Sequence, residues 1–542
     1  MKPRRVLSAF TVVLLLACCD YVLCQTPPSD FACKYIANGS DIKTLKGGLT
    51  QVLPDGRMLL GGFLDLAGSR KSVQWIASAA ADGRVLWAAR AEGRPDRISD
   101  SPCASDGDSI WHAGLFNSGA VRLARFEGKT LRRQASLEMA FEPSAGFDES
   151  VLFHRPDNGD FDLEISVLQP VRDSLHLAVL SRDLRILFDK VYQIPIHPPE
   201  AVPEAFQDAF VTRLVDRSGY YVFPRHPIRP NAQARPGVGV IRLGNDGTVK
   251  WANSYAFGSS DFDLEPRTTD DGSVLVHDAL PGLPSKGCLM IKIGPDGALN
   301  WATAVEGMGG GFGHNTAGWV PYRFTKPYLL ARVFSPNERN YSSVFLGLNY
   351  ETGKLEKQVK IGTPGLTEFV GQTADYFYAA FLTMPLNLLH PVYHAAVLKF
   401  DYDMKLLAAR RIHEAGPNSP VFRFVPPDSG FISYHHDSKR SLIVESTNAN
   451  LESPDPCRWL DKDSFTVAIS KLRQRPLQVT TTALDRIRVT DANSKTSEAD
   501  LSLVPLDLKS VPCNPAEGKA ERSKIGSSRS SAGVRLAVCD RQ

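Results

Sequence analysis

Several short stretches of this chain bring together residue types that can do chemistry. His435-His436-Asp437 sets two imidazoles beside a carboxylate. Successive side chains on a strand point to opposite faces, so both rings could reach one metal only at a bulge or loop end; a polar strand end is the simpler reading. His390 and His394 are four apart, a spacing that suits a metal on a helix, but Pro391 and apolar neighbours put them in a loop or strand. Asp157, Asp160 and Asp162, and separately Asp261, Asp263 and Glu265, offer oxygen ligands of the kind calcium takes. Neither set completes a twelve-residue calcium loop, so each reads first as a polar turn. The glycine-rich run Met308 to His314 lacks the Gly-Lys-Ser/Thr ending and the following helix of a phosphate loop. A crossing where backbones approach closely explains it better. With no Gly-x-Ser-x-Gly and no Ser/His/Asp set, the sequence assigns no catalytic residue, no metal ligand and no cofactor-binding residue. Calcium stands as the candidate ion.

The N-terminus carries a different kind of chemistry. Lys2, Arg4 and Arg5 precede an apolar run from Val6 to Ala17, the pattern of an export signal over residues 1–24. Leu15-Leu16-Ala17-Cys18 resembles a bacterial lipobox, in which Cys18 is lipidated and becomes the mature N-terminus. The competing cleavage lies just before Gln25. No second stretch is long and apolar enough to span a bilayer, so the membrane is reached only through that lipid. The chain holds 62 basic and 59 acidic residues, and the signal takes three of the basic ones. The near balance that remains gives no footprint for nucleic acid or an anionic surface. Six cysteines lie beyond the signal: Cys33, Cys103, Cys288, Cys457, Cys513 and Cys539. Export permits their oxidation, and Cys457 with Cys513 is the pairing to test first.

The elements that would position any site follow from a repeat. Asp-Gly-x-(Val/Leu)-x-Trp occurs at Asp82–Trp87, Asp246–Trp251 and Asp296–Trp301. Asp-Gly between alternating apolar residues is a hairpin signal, and the branched residue and Trp share one strand face. Degraded copies put Arg133, Phe188, Lys357 and Ala408 at the position of Trp87, Trp251 and Trp301, in steps of 46 to 63 residues. A second set of turns, including Asp55-Gly56, Asp106-Gly107, Ser218-Gly219 and Asp271-Gly272, lies in register between the first. Two hairpins per unit is the pattern of a β-propeller blade, with the large rings filling the wedges between sheets. The reading is all-β: a propeller of four-stranded blades over residues 45–455, eight favoured and seven the alternative. The eighth outer strand must come from Asn450 onward or from the N-terminal segment 33–46. Residues 456–513 read as a small C-terminal β appendage, and 514–542, rich in Ser, Gly, Lys and Arg, as a flexible tail.

The units at 241–258, 268–280 and 291–307 resemble repeats of secreted bacterial propeller proteins, often lipoproteins, of the PQQ-like and delta-60-type families. That resemblance implies export and a binding or scaffolding propeller. Its enzymatic branch is the quinoprotein dehydrogenases, which carry Thr-Gly-Lys-x-x-Trp in many blades. Here Thr352-Gly353-Lys354 matches, but Lys357 stands where Trp would be. The expectation is an exported, lipid-anchored, non-catalytic binding or assembly module at a bacterial envelope, outer-membrane, periplasmic or extracellular. Its partner would be a protein or carbohydrate over one mouth of the ring. The alternative is an envelope enzyme with calcium or a quinone in the channel. Trp111 and Trp319, outside the repeat frame, are the candidates for stacking on a sugar.

Overall fold

Gly83, Gly247, Gly297 and Gly353 take positive φ between 66° and 85°, while the Asp or Thr before each does not. The turns therefore need only one left-handed residue. They are followed by a register shift, as between Ser78 and Ala79 or Arg242 and Leu243, which is the three-residue loop with a glycine bulge rather than the two-residue turn. Asp has its own reason to precede Gly. Its carboxylate accepts the amide two residues on, from Arg84 to Asp82, Thr248 to Asp246 and Ala298 to Asp296, each at 3.0 Å.

The computed structural model describes residues between Ala32 and Pro512, apart from many of the connections; residues 1–31 and 513–542 lie outside the described residues. The described residues form an all-β propeller of eight antiparallel sheets. Blade one is Ile42–Val52, Met58–Leu66, Ser72–Ala79 and Val85–Glu92, and the next six repeat that meander along the chain to Ile412. Blade eight takes Val421–Phe424, Phe431–Ser438 and Ser441–Thr447, and its fourth strand is the N-terminal Ala32–Ala37. Of the two sources expected for that strand, the N-terminal one is used.

Two expectations need correction. The blades are five-stranded, not four-stranded, and residues 456–513 are not an appendage. After blade eight the chain turns back and circles the ring, laying one short antiparallel strand on the outer edge of every blade. Leu460–Lys462, Val467–Ile469, Arg473–Pro476 and Thr480–Ala483 lie on blades seven, six, five and four. Arg488–Asp491, Lys495–Ser497, Ser502–Pro505 and Leu508–Pro512 follow on blades three, two, one and eight. The Trp-bearing fourth strand is thus not the outermost. The sequence marks 456–513 as β but not as a belt, because its strands are three to five residues long and mostly solvent-facing. Short alternating runs at 465–469, 477–482, 487–490 and 501–508 do mark β structure there, but nothing in them says that each pairs with a different blade.

Between its strands the belt plugs apolar side chains into the wedges where neighbouring blades meet. Leu477 and Val479 join the cluster between blades four and five, and Leu484 and Ile487 that between three and four. Leu501 and Leu503 join blades one and two, and Leu506 and Leu508 join blades eight and one. Leu484, Leu501, Leu503, Leu506 and Leu508 are buried and contribute about 1.5–3 kcal/mol each, and the half-buried Leu477, Val479 and Ile487 contribute less.

Candidate functional sites on the ring

The repeat position acts across blades, not within them. Trp251 Nε1 donates to the Pro295 carbonyl at 2.8 Å, and Trp301 Nε1 to the Tyr350 carbonyl at 2.9 Å; both acceptors lead into the next blade's turn. The glycine of that turn lets the ring lie flat. A methyl group on Gly297 would be 3.0 Å from the Trp251 ring, and one on Gly353 2.5 Å from the Trp301 ring. A methyl on Gly247 would be 2.7 Å from Phe188. Trp87 lies against Gly128 of blade two in the same way.

Where the aromatic ring is missing, the same carbonyl still finds a donor. Lys357 Nζ donates to the Tyr402 carbonyl at 3.0 Å and to Asp403 Oδ1 at 2.5 Å. In blade two, where Arg133 replaces the ring, Trp111 donates from the second strand to the Arg182 carbonyl at 2.7 Å. The turn residue of the next blade also grows: opposite Arg133, Lys357 and Ala408 stand Leu184, Met404 and Leu451, all buried and all with φ near +60°. Trp111 is therefore a wedge residue, 1% exposed, and is not free to stack on a sugar.

Tyrosines add a second row of stitches. Tyr192, Tyr255 and Tyr35 donate to the carbonyls of Gly247, Gly297 and Gly83 of the following blade, at 2.7, 2.6 and 2.7 Å. Tyr35 belongs to the N-terminal strand, so its bond to Gly83 ties blade eight to blade one.

Charged groups on the turn face are engaged between blades as well. Arg57 reaches Asp108 at 3.2 Å, Arg125 reaches Asp183 at 2.5 Å, and Arg182 returns to Asp106 at 3.4 Å. Glu164 of blade three meets Arg213 at 3.1 Å and accepts the Tyr220 hydroxyl, both of blade four. Among the described lysines and arginines the most enclosed is Lys292, 2% exposed, paired across the strand with Trp301. Its Nζ sits 3.4 Å from the centroid of the Tyr350 ring and 3.4 Å from Asp271 Oδ2. Asp271 also accepts from Thr269 Oγ1 (2.5 Å), the Ser273 amide (2.9 Å) and the Tyr350 hydroxyl (2.8 Å). Burial opposes ionisation of Asp271, but these donors outweigh it and hold the carboxyl far below the usual range. A lysine paired this fully holds blades five and six together and is not poised as a nucleophile.

One cluster has the residue types of a catalytic triad. His176 Nε2 lies 2.5 Å from Asp189 Oδ1 and 3.3 Å from Ser494 Oγ. Carboxylate and serine share one ring nitrogen, whereas a general base needs one nitrogen for each. The Ser494 amide donates to Asp189 Oδ2 at 2.8 Å, so the group fastens the belt to blade three. Burial raises the Asp189 carboxyl, but the bonds from His176 and Ser494 prevail and lower it. Residues 305 positions apart in the chain build this cluster, and no local motif announces it.

The remaining expected site residues fall as follows. His435 and His436 lie on the second strand of blade eight, opposite Ile443 and Leu442, with a register shift between His436 and Ser438. Trp319 begins the first strand of blade six. His390, His394, Met308–His314, Asp157–Asp162 and Asp261–Glu265 lie outside the described residues, as do Cys18, Cys457 and Cys513. Cys33 is a buried free thiol whose pKa burial and the nearby Asp82 push up to about 11. Among the described residues no three His, Cys, Asp or Glu side chains are grouped to hold a metal.

No protein-family model matches the sequence, and neither does any curated protein. Among solved structures, similarity extends to an exotype rhamnogalacturonan lyase, YesX, at 14% identity, TM-score 0.40, covering 76% of this chain and 72% of that one. A eukaryotic initiation factor aligns at 9% identity, TM-score 0.39, over 69% of this chain and 79% of its own. The apo form of prolyl oligopeptidase B from Galerina marginata aligns at 11% identity, TM-score 0.38, over 86% of this chain; the match spans 55% of that enzyme. Likeness at this level carries no argument about activity.

Proposed function

We propose that this chain is an exported, lipid-anchored β-propeller that serves as a non-catalytic binding or assembly module at a bacterial cell envelope. The observation that carries the reading is the division of labour between the two faces of the ring. The described Asp-Gly turns are tight, and several of their charged groups pair with neighbouring blades, as in Arg57–Asp108, Arg125–Asp183 and Lys357–Asp403. The strand ends on the opposite face, such as Gln193 and Ala209 or Pro224 and Gly237, are joined by the longer stretches of sequence. Connections that a rigid ring leaves free to vary are where binding residues concentrate. A protein or carbohydrate partner is therefore engaged on the face opposite the turns.

The deciding measurement is the intact mass of natively purified protein together with site-directed cross-linking. A mature chain starting at lipid-modified Cys18 supports the anchor; an unmodified chain starting near Gln25 removes it. A photo-crosslinker on Ala67→Cys, exposed on the long-connection face, is expected to give adducts in envelope preparations. The same reagent on Thr352→Cys, exposed on the turn face, is expected to give none. The reverse pattern overturns the assignment of faces. Calcium or a quinone retained in stoichiometric amount overturns the non-catalytic reading.

A further inference from the structure

The belt is not uniform. Over blades five, three and two its strands are three or four residues long with every side chain exposed. Its end is different. Leu508–Pro512 pairs with the N-terminal strand from Ala37↔Leu508 to Cys33↔Pro512, and that strand's other edge pairs with Ser441–Thr447. The two ends of the circuit thus meet in blade eight, with the N-terminal strand between the last ring strand and the last belt strand. The Asn38 amide donates to the Asp507 carbonyl at 2.9 Å, and the Leu506 amide to the Ala88 carbonyl at 3.0 Å. The Val85 amide reaches Ser510 Oγ at 3.3 Å, crossing from blade one to the belt strand of blade eight. Leu506 and Leu508 are buried with Tyr35, Leu442 and Trp75 in the core between blades eight and one.

We infer that the belt is a strap ending in a clasp: its strands 473–476, 488–491 and 495–497, whose side chains are all exposed, open locally while the ring stays closed, whereas 506–512 hold the seam where the circuit ends. A strand with few hydrogen bonds and little apolar burial opens at a small fraction of the global cost. The clasp opens only by exposing the core that joins blades eight and one, so strand 32–37 loses its outer partner in the same event. The N-terminal strand cannot leave the ring while the clasp is shut.

Hydrogen exchange of the full chain tests this directly. In the unmodified protein, amides of 473–476, 488–491 and 495–497 are expected to exchange about tenfold or more faster than those of 508–512 and of strand 33–36. Equal rates along the belt overturn the distinction between strap and clasp. In a Leu506→Ala, Leu508→Ala variant, exchange is expected to rise about tenfold or more in 33–36 and 442–444, with Val238–Leu243 of blade four unchanged. If 508–512 quickens while 33–36 does not, the clasp has no hold on the seam. If every blade quickens together, the belt is merely part of the global fold. Should that variant not fold, the unmodified chain in rising sub-denaturing urea serves instead. Strands 473–476, 488–491 and 495–497 must open first, with 508–512 and 33–36 opening together; a single transition for all rejects the inference.

Discussion

At Gly353 two demands fall on one residue: a φ of +66° and a neighbouring indole where a side chain would start. Gly353→Ala is expected to lower unfolding free energy by about 1–3 kcal/mol in urea titration, since left-handed strain and the Trp301 contact both oppose the methyl. The complementary position is Lys357 with Met404, where a long amine replaces the ring and a thioether replaces the glycine. Lys357→Trp alone should destabilise, because Met404 occupies the room an indole needs. Adding Met404→Gly should recover the loss, giving a coupling energy of about 1–2 kcal/mol in a double-mutant cycle. Additive losses would mean that the two positions do not share the wedge. Trp87, Trp251 and Trp301 were legible because their spacing repeats. The acceptors of Trp251 and Trp301 were not, because they lie 44 and 49 residues away, across a blade boundary that the spacing locates but does not pair. Lys357 counted in the sequence as a lost tryptophan, although it donates to the same carbonyl position.

Within a blade, the strands are tied by polar groups as well as by their ladders. Asp65, on the second strand of blade one, accepts Ser72 Oγ and Thr44 Oγ1 at 2.5 Å each and pairs with Lys46 at 2.9 Å. These donors lower its carboxyl to about 2. The unfolded-state value is higher, so the unfolded chain takes up this proton first as pH falls. The stabilisation is complete above about pH 4. It declines below that and is gone once pH has dropped through about 2. Urea melts of the parent and of Asp65→Asn between pH 2 and pH 6 should diverge as pH rises from 2 to 4 and run parallel above it. A constant offset over that range would remove the lowered carboxyl from the account. The four ring strands of blade one were readable from alternation and turns. The fifth was not, since Ser502–Pro505 is an edge strand whose sheet partner lies some 400 residues earlier.

At the scale of the whole molecule, the belt gives the expected Cys457–Cys513 pairing a topological meaning. Cys457 precedes the first belt strand, on blade seven, by three residues, and Cys513 directly follows the last, on blade eight. Those blades are neighbours, so the belt leaves and returns within one blade step after a full circuit. A disulfide there would turn an open strap into a covalent hoop around the propeller. Cys33 is the competing thiol closest in the ladder, since its register partner is Pro512. Its side chain is buried against blade one, with Sγ 3.7 Å from the Asp82 carbonyl, and its raised pKa keeps it a thiol. Non-reducing peptide mapping of protein purified from an oxidising compartment should therefore recover a 457–513 cross-linked peptide, with Cys33 alkylated only after unfolding. Closing a loop of that length removes chain entropy worth about 4 kcal/mol, so Cys513→Ser should lower the urea midpoint measurably without altering the propeller's circular dichroism. Cys33 linked to either would refute the hoop, and recovery of both cysteines as free thiols would leave the ring held by hydrogen bonds and apolar wedges alone. The clasp at 506–512 would then carry the whole closure.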